Sequence, residues 1–177
     1  REFRNVPGAT SDALYTNSTI ALDADTGELA WHFQHVRNDL LDLDWAFERQ
    51  IMELPFNGEM RRAVVTGGKA AIFEAMDAVT GEYLFSIDLD MQNVFSEIDP
   101  RTGDKTMFPE AVLKPGEDTP GLAKNGVCPD ALGARNMQTT SYNPATEMLY
   151  VPLQDTSINN LTGRRGPKYP NPDEAGK

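Results

Sequence analysis

The sequence predicts an all-β fold built from a repeated strand–turn–strand unit, as in a propeller or a sandwich. Three observations predict it. The apolar runs are short, most of them four to six residues, and lie between Gly, Pro and Asn turn signals, which suits strands better than helices. One turn type is reused at Asp23–Gly27, Asp77–Gly81, Asp99–Gly103 and Asn143–Glu147. A spaced set of Ala21, Asp23, Gly27 and Trp31 recurs as Ala75, Asp77, Gly81 and Phe85, which marks an internal repeat.

The elements follow in order. Ser18–Leu22 is the first expected strand, and the first turn returns the chain to Leu29–Phe33. In each turn the opening Asp or Asn can bond the backbone two residues on, and the closing Gly, present in three copies, tolerates positive φ. Arg62–Thr66 has a β-branched centre, as a buried strand has. Ala70–Ala75, the second turn and Tyr83–Ile87 make the next hairpin, and the third turn follows. Pro and Gly thicken between Pro109 and Pro129, through Lys114-Pro115-Gly116 and Pro120-Gly121, which reads as a long surface excursion. Thr139–Tyr142 and Met148–Leu153 flank the fourth turn. One domain is expected over 1–160. The Gly-, Pro- and Asn-rich stretch 161–177 is expected as a loop or disordered tail without a strand. Within the repeat, the small Ala lets neighbouring units approach, Asp and Gly build the turn, and the aromatic docks flat between units.

Composition narrows the function classes. Hydrophobic residues at 40% and charged residues at 24% are ordinary for a globular chain. No run of about 18 apolar residues is present. Arg1–Asn5 lacks the apolar core of a signal peptide. Sixteen Lys and Arg against 27 Asp and Glu give a net charge of −11, a field that repels phosphate and excludes nucleic acid as a partner. Cys128 is the one cysteine, so it forms no disulfide within this chain and reads as a small buried apolar residue.

Four segments then carry a family resemblance. The Ala21–Trp31 spacing resembles a tryptophan-docking motif. Asp39-Leu40-Leu41-Asp42-Leu43-Asp44 resembles an aspartate-bearing active-site segment, and Thr66 to Asp77 a lysine-bearing strand. Cys128-Pro129 through Met137, with Ser141-Tyr142-Asn143-Pro144, resembles a cofactor-contacting loop. Together, and in this order, they resemble the PQQ-dependent (quinoprotein) methanol- and ethanol-type alcohol dehydrogenases, over roughly residues 14–155. The resemblance implies an eight-bladed propeller around pyrroloquinoline quinone (PQQ) and a metal ion. At several tens of residues per blade, this chain supplies about three four-stranded antiparallel blades of it. The chain is therefore expected to be an internal fragment whose open blade faces promote self-association.

The resemblance assigns roles residue by residue. Asp42 matches the catalytic base, which takes the hydroxyl proton while hydride leaves carbon for the quinone, and also a metal ligand. A nearby cation is expected to keep it ionised. Asp44, on the same side of an extended segment, matches the extra aspartate of the lanthanide-using branch. The metal that the resemblance implies is calcium or a lanthanide. Lys69 matches a basic residue against the quinone oxygens. Asn136 matches a polar cofactor contact, and Met137 stands where many relatives carry Trp. Many relatives also pair a cysteine at the position of Cys128, whereas Thr156–Asn159 offers no partner here. The paired cysteines over the cofactor, the tryptophan beneath it, and the Glu and Asn metal ligands are expected before Arg1, so the isolated chain is expected to bind PQQ weakly. The implied substrate is a small alcohol or aldehyde, the acceptor a c-type cytochrome, and the compartment the bacterial periplasm. Trp31 is expected in the core and Trp45 in loop or substrate-side packing. Asp39 is expected as a turn residue and Arg61 and Arg62 as strand-edge charges, while His32 and His35 are given no role. The alternatives are a non-catalytic propeller scaffold of the same superfamily and an inactive truncated product.

Overall fold

The computed structural model describes residues 12–39, 41–112, 126–159 and 164–165. Every regular element among them is a strand, as the short apolar runs require. β1 (Ser18–Leu22) pairs with β2 (Leu29–Gln34). β3 (Gln50–Phe56), β4 (Glu59–Gly67), β5 (Ile72–Asp77) and β6 (Tyr83–Asp88) form an antiparallel meander in that order. Three further hairpins follow: β7 (Phe95–Ile98) with β8 (Lys105–Met107), β9 (Ser141–Asn143) with β10 (Met148–Tyr150), and β11 (Ile158–Asn159) with β12 (Arg164–Arg165). Of the three expected blades, one is complete with four strands among the described residues, and its neighbours are present as hairpins.

The reused turn forms as its chemistry dictates. Asp23 Oδ1 accepts from the amides of Asp25 and Thr26 and from the Thr26 hydroxyl. Asp77 Oδ1 repeats this with Val79 and Thr80. Asp99 Oδ1 accepts the Arg101 amide, and Asn143 Oδ1 the Ala145 amide. Arg61 reaches from β4 to Asp77 Oδ2 and Glu82 Oε2, at 2.8 and 2.9 Å, so it braces the β5–β6 turn instead of merely edging a strand.

These turns are docking sites for aromatics of neighbouring strands. Trp31 Nε1 donates to the Ala78 carbonyl at 3.3 Å, and its ring covers Gly81, where a Cβ would come within 2.7 Å. Gly103 is covered in the same way by Tyr83 and Phe33, whose rings stack 5.9 Å apart. The glycines thus close the turns at positive φ and leave room for the rings.

Period-2 alternation sets the two faces of the complete blade. Ala63 and Val65 on β4 join Phe73 and Ala75 on β5 in one cluster, which Leu149 and Val151 cover. The residues between them, Ile72, Glu74 and Met76, are also buried, on the opposite face. A second cluster joins Ile72 to Val36, Leu43, Trp45, Val94 and Phe95, and draws in Ala111 and Val127 from the two ends of the Pro- and Gly-rich excursion. Residues 113–125 of that excursion lie outside the described residues.

The structure adds strands that the apolar pattern did not mark. β3 carries Glu53 and Pro55 and alternates between half-buried and exposed, so it reads weakly as a strand, yet Gln50–Phe56 pairs in full register with β4. β7 and β8 are short and flank the third turn. The tail was expected to hold no strand. Arg164 and Arg165 correct this by pairing with Asn159 and Ile158, a two-residue ladder that needs no apolar pattern. The rest of 161–177 lies outside the described residues.

Substituting Gly81→Ala forces a Cβ against the Trp31 ring at a φ of +74°. It is expected to destabilise the chain by about 1–3 kcal/mol, measured by urea unfolding. A stability equal to wild type would contradict the docking role of this turn.

A candidate active-site cleft

The segment 39–45 is held from both ends. Asp39 Oδ1 and Oδ2 accept the amides of Leu41 and Leu43, as expected of a turn residue. Asn17 Oδ1 accepts the Trp45 amide at 2.7 Å, and Asn17 Nδ2 donates to Asp39 Oδ2 at 3.3 Å. Leu43 and Trp45 are both 1% exposed and packed in the core. Their burial turns the alternate residues outward, so the Asp42 and Asp44 side chains keep 65% and 40% exposure. Asp42 sits at a φ of +62°, a conformation that Asp tolerates.

Lys69 lies on the turn between β4 and β5, two residues beyond the end of β4, and not within a strand. That turn is buried and most of its backbone is hydrogen-bonded. The Lys69 amide donates to the Asp44 carbonyl, Ala134 donates to the Lys69 carbonyl, and Leu89 donates to that of Ala71. The Lys69 side chain is 8% exposed. Its Nζ donates to the Asp42 carbonyl at 2.9 Å and lies 3.3 Å from Asp42 Oδ1 and 3.2 Å from Asp44 Oδ2. Gly133 packs on the lysine stem, leaving no room there for a Cβ.

Asp44 and Lys69 line a cleft of about 440 Å³ with Glu48, Phe47, Asn136 and Met137. The structure therefore gathers Asp42, Asp44 and Lys69 in direct contact and sets Asn136 and Met137 on the same cleft. Asn136 Nδ2 donates to the Leu132 carbonyl of its own loop, and Met137 is 86% exposed. Sequence reasoning missed Glu48. Its carboxylate receives the Thr140 amide and hydroxyl and the guanidinium of buried Arg135, which packs 4.8 Å from the Phe47 ring and also donates to the Gly67 carbonyl. Burial raises the Glu48 pKa, but the Thr140 donors and the Arg135 charge hold it at about 2.

Two further readings are corrected. Trp45 is a core residue and not loop packing, because Leu43 and Trp45 supply the apolar side of this segment. His35, given no role, is buried and bonded to Glu74 and Thr19. His32 makes an edge contact with Tyr15. Cys128 is buried, as expected of a small apolar residue.

The electrostatics of the acid pair follow from its crowding. Burial raises the Asp42 pKa, the hydrogen bond to Asp44 raises it further, and Lys69 opposes both without overcoming them. Burial also pushes Asp44 up, but hydrogen bonds from Asp42 and Lys69 bring it below its ordinary value. The expectation of a depressed Asp42 assumed a metal cation, and Lys69 alone does not supply that effect. Such crowding suits a hard cation, which takes oxygen ligands and would relieve the like-charge repulsion. Among the described residues, no set of three or more His, Cys, Asp or Glu side chains forms a metal site. The buried Lys69 ammonium on the cleft wall suits an anionic, oxygen-rich cofactor.

The chain is 32% identical over 92% of its length to the dehydrogenase subunit of the quinone alcohol dehydrogenase of Komagataeibacter europaeus, and spans 21% of that relative. It thus covers about a fifth of the length of the curated relatives it matches. Among solved structures it matches quinohemoprotein alcohol dehydrogenase ADHIIG of Pseudomonas putida HK5 with a TM-score of 0.72 at 33% identity, covering 80% of this chain and 20% of that one. A europium-containing methanol dehydrogenase matches with a TM-score of 0.72 at 24% identity, covering 81% and 24%, and shows the fold alone. The family described as PQQ glucose/ethanol/alcohol dehydrogenase, beta-propeller domain, matches residues 6–97, just over half of the chain. The chain belongs to this family of quinoprotein β-propellers.

Proposed function

We propose that this chain is a segment of a PQQ-dependent dehydrogenase that oxidises an alcohol, or a related hydroxyl or aldehyde substrate, and that it carries the catalytic acid pair. The observation that supports this reading is the convergence of Asp44, Lys69 and the 136–137 loop, from three separate stretches of chain, around one cleft, with Asp42 in contact with Lys69. When bound, PQQ supplies the two-electron acceptor for the hydride that leaves the substrate carbon. Asp42 accepts the hydroxyl proton on its carboxylate. That role needs the ionised form, which a calcium or lanthanide ion held by Asp42 and Asp44 favours. The second carboxylate of Asp44 adds negative charge, which favours a trivalent lanthanide. Lys69 Nζ places positive charge on the cleft wall, opposite the negative charge that develops during hydride transfer. Asn136 and Met137 line the same cleft and would flank the cofactor there. The electrons then pass to a c-type cytochrome, and the protein works in the bacterial periplasm.

A hard cation of this type takes about six to eight oxygens. Asp42 and Asp44 supply only part of that set, so the isolated chain is read as binding PQQ weakly and as inactive. Ile20, Leu22 and Leu29 on the β1–β2 hairpin and Met148 and Tyr150 on β10 are exposed. We read them as blade faces that neighbouring blades cover in the full propeller and that self-associate in the isolated chain.

The test uses the full-length dehydrogenase carrying this segment, loaded with PQQ and with calcium or a light lanthanide. Asp42→Ala is expected to lower dye-linked alcohol oxidation by about 10²–10⁴-fold, and undiminished turnover would remove the mechanism. Asp44→Ala is expected to suppress the lanthanide-supported rate. Activity that needs calcium alone and ignores Asp44→Ala would remove the lanthanide assignment. In sedimentation velocity the isolated chain is expected to run as oligomers, whereas a lone monomer would contradict open blade faces.

A further inference from the structure

Behind the cleft, on the face of β5 that carries Ile72 and Met76, lies a buried ionic cluster that the proposed chemistry does not use. The Glu74 side chain is fully buried. Its Oε2 lies 2.6 Å from His35 Nδ1, and its Oε1 accepts from Lys105 Nζ at 2.5 Å. Lys105 also donates to the carbonyls of His35 and Gly103, at 2.9 and 3.3 Å. It thereby ties the end of β2, the centre of β5 and the β7–β8 turn together. Thr19 Oγ1 lies 2.7 Å from His35 Nε2. Burial lowers the His35 pKa by more than the Glu74 hydrogen bond raises it. Glu74 is the acceptor at Nδ1, so with the charged ring disfavoured by burial Nδ1–H donates to Glu74 and Nε2 accepts from the Thr19 hydroxyl. Burial pushes Glu74 up, but the Lys105 charge and the His35 hydrogen bond bring it down, so it is ionised.

A buried ion pair is a weak source of stability, because well-packed apolar residues of similar volume do as well. The position of this one suggests another use. The Trp45 ring lies parallel to the His35 ring, 5.2 Å away with 2° between planes, and Lys105 Nζ is 5.2 Å from the Trp45 ring centroid. The same indole covers Gly68 so closely that a Cβ there would fall 2.2 Å from it. Trp45 directly follows Asp44, Gly68 directly precedes Lys69, and the Lys69 amide bonds the Asp44 carbonyl.

We propose that Glu74, Lys105 and His35 form a positioning device: they hold the Trp45 ring against Gly68 and thereby fix Lys69 between Asp42 and Asp44. The proposal rests on the reading of those last three residues as the active site. It makes Trp45 a positioning residue with no contact to substrate. It also accounts for a fully paired charge cluster in a place where an apolar core would serve stability equally well.

The test is residue-resolved amide hydrogen exchange on the chain, which needs neither PQQ nor metal. Glu74→Gln/Lys105→Met removes both charges together and leaves an acceptor for His35. Trp45→Phe keeps every charge and shrinks the plate over Gly68, and it decides the matter if the double variant does not fold. In each folded variant, exchange of the Lys69 amide is expected to accelerate about tenfold, while the amides of the β3–β4 ladder keep their wild-type rates. Uniform acceleration across the chain would reduce the cluster to a stabilising role, and an unchanged Lys69 amide would remove it; either result overturns the proposal. Selective loosening in a chain whose full-length parent is indifferent to Asp42→Ala would retain the device and discard the active-site reading. Unchanged exchange with an essential Asp42 would do the reverse.

Discussion

The indole of Trp45 rests on Gly68 with no room for a methyl group between them, and the arrangement of the cleft depends on that contact. Strand-like alternation makes it possible. Leu43 and Trp45 enter the core, and the acids beside them are turned out toward solvent. The backbone completes the join, because Lys69 donates to the Asp44 carbonyl while its ammonium reaches the Asp42 carbonyl. Two segments far apart in sequence are thus locked at one spot by packing and hydrogen bonds that do not require a cofactor. A cleft organised in advance spares a ligand the ordering entropy at the moment of binding.

The same logic of a ring laid on a glycine recurs through the fold. Trp31 covers Gly81, and Tyr83 and Phe33 cover Gly103. Each contact joins one strand–turn–strand unit to the next, so the units stack in sequence order and carry their turn regions into register. Between the units, the enclosed carboxylates are paired. Glu74 has Lys105 and His35, and Glu48 has Arg135 and Thr140. Removing one member of such a buried pair typically costs about 3–5 kcal/mol, so these clusters tolerate little change even where their net contribution to stability is small.

Much of this was legible in the sequence because the responsible forces are local. The Asx turns at Asp23, Asp77, Asp99 and Asn143 follow from side chains that bond the backbone two residues on, and they appear where that chemistry placed them. β1 was delimited by its apolar run and matches it end to end. β3 was not, because Glu53 and Pro55 interrupt its pattern and only the partner strand β4 makes it a strand. Asp42, Asp44 and Lys69 were picked out by motif resemblance, since nothing local brings Lys69 to the acids. Glu48 escaped notice because it sits in no recognisable motif and its partner Arg135, within the 128–137 segment, is 87 residues away. Trp45 was misread for a related reason. Its neighbours are acids on an exposed loop, and only the tertiary packing of His35, Lys105 and Gly68 around it shows that it belongs to the core.

In the proposed function, Lys69 presents its charge to the quinone cofactor from the wall of this cleft. The most direct measurement is a titration of PQQ into the metal-loaded, cofactor-free full-length protein, wild type against Lys69→Ala, followed by quinone absorbance. A charge-assisted hydrogen bond contributes about 1.5–3 kcal/mol, so the variant is predicted to bind PQQ roughly ten- to a hundredfold more weakly. Wild-type affinity in a folded Lys69→Ala protein would rule out this role for Lys69.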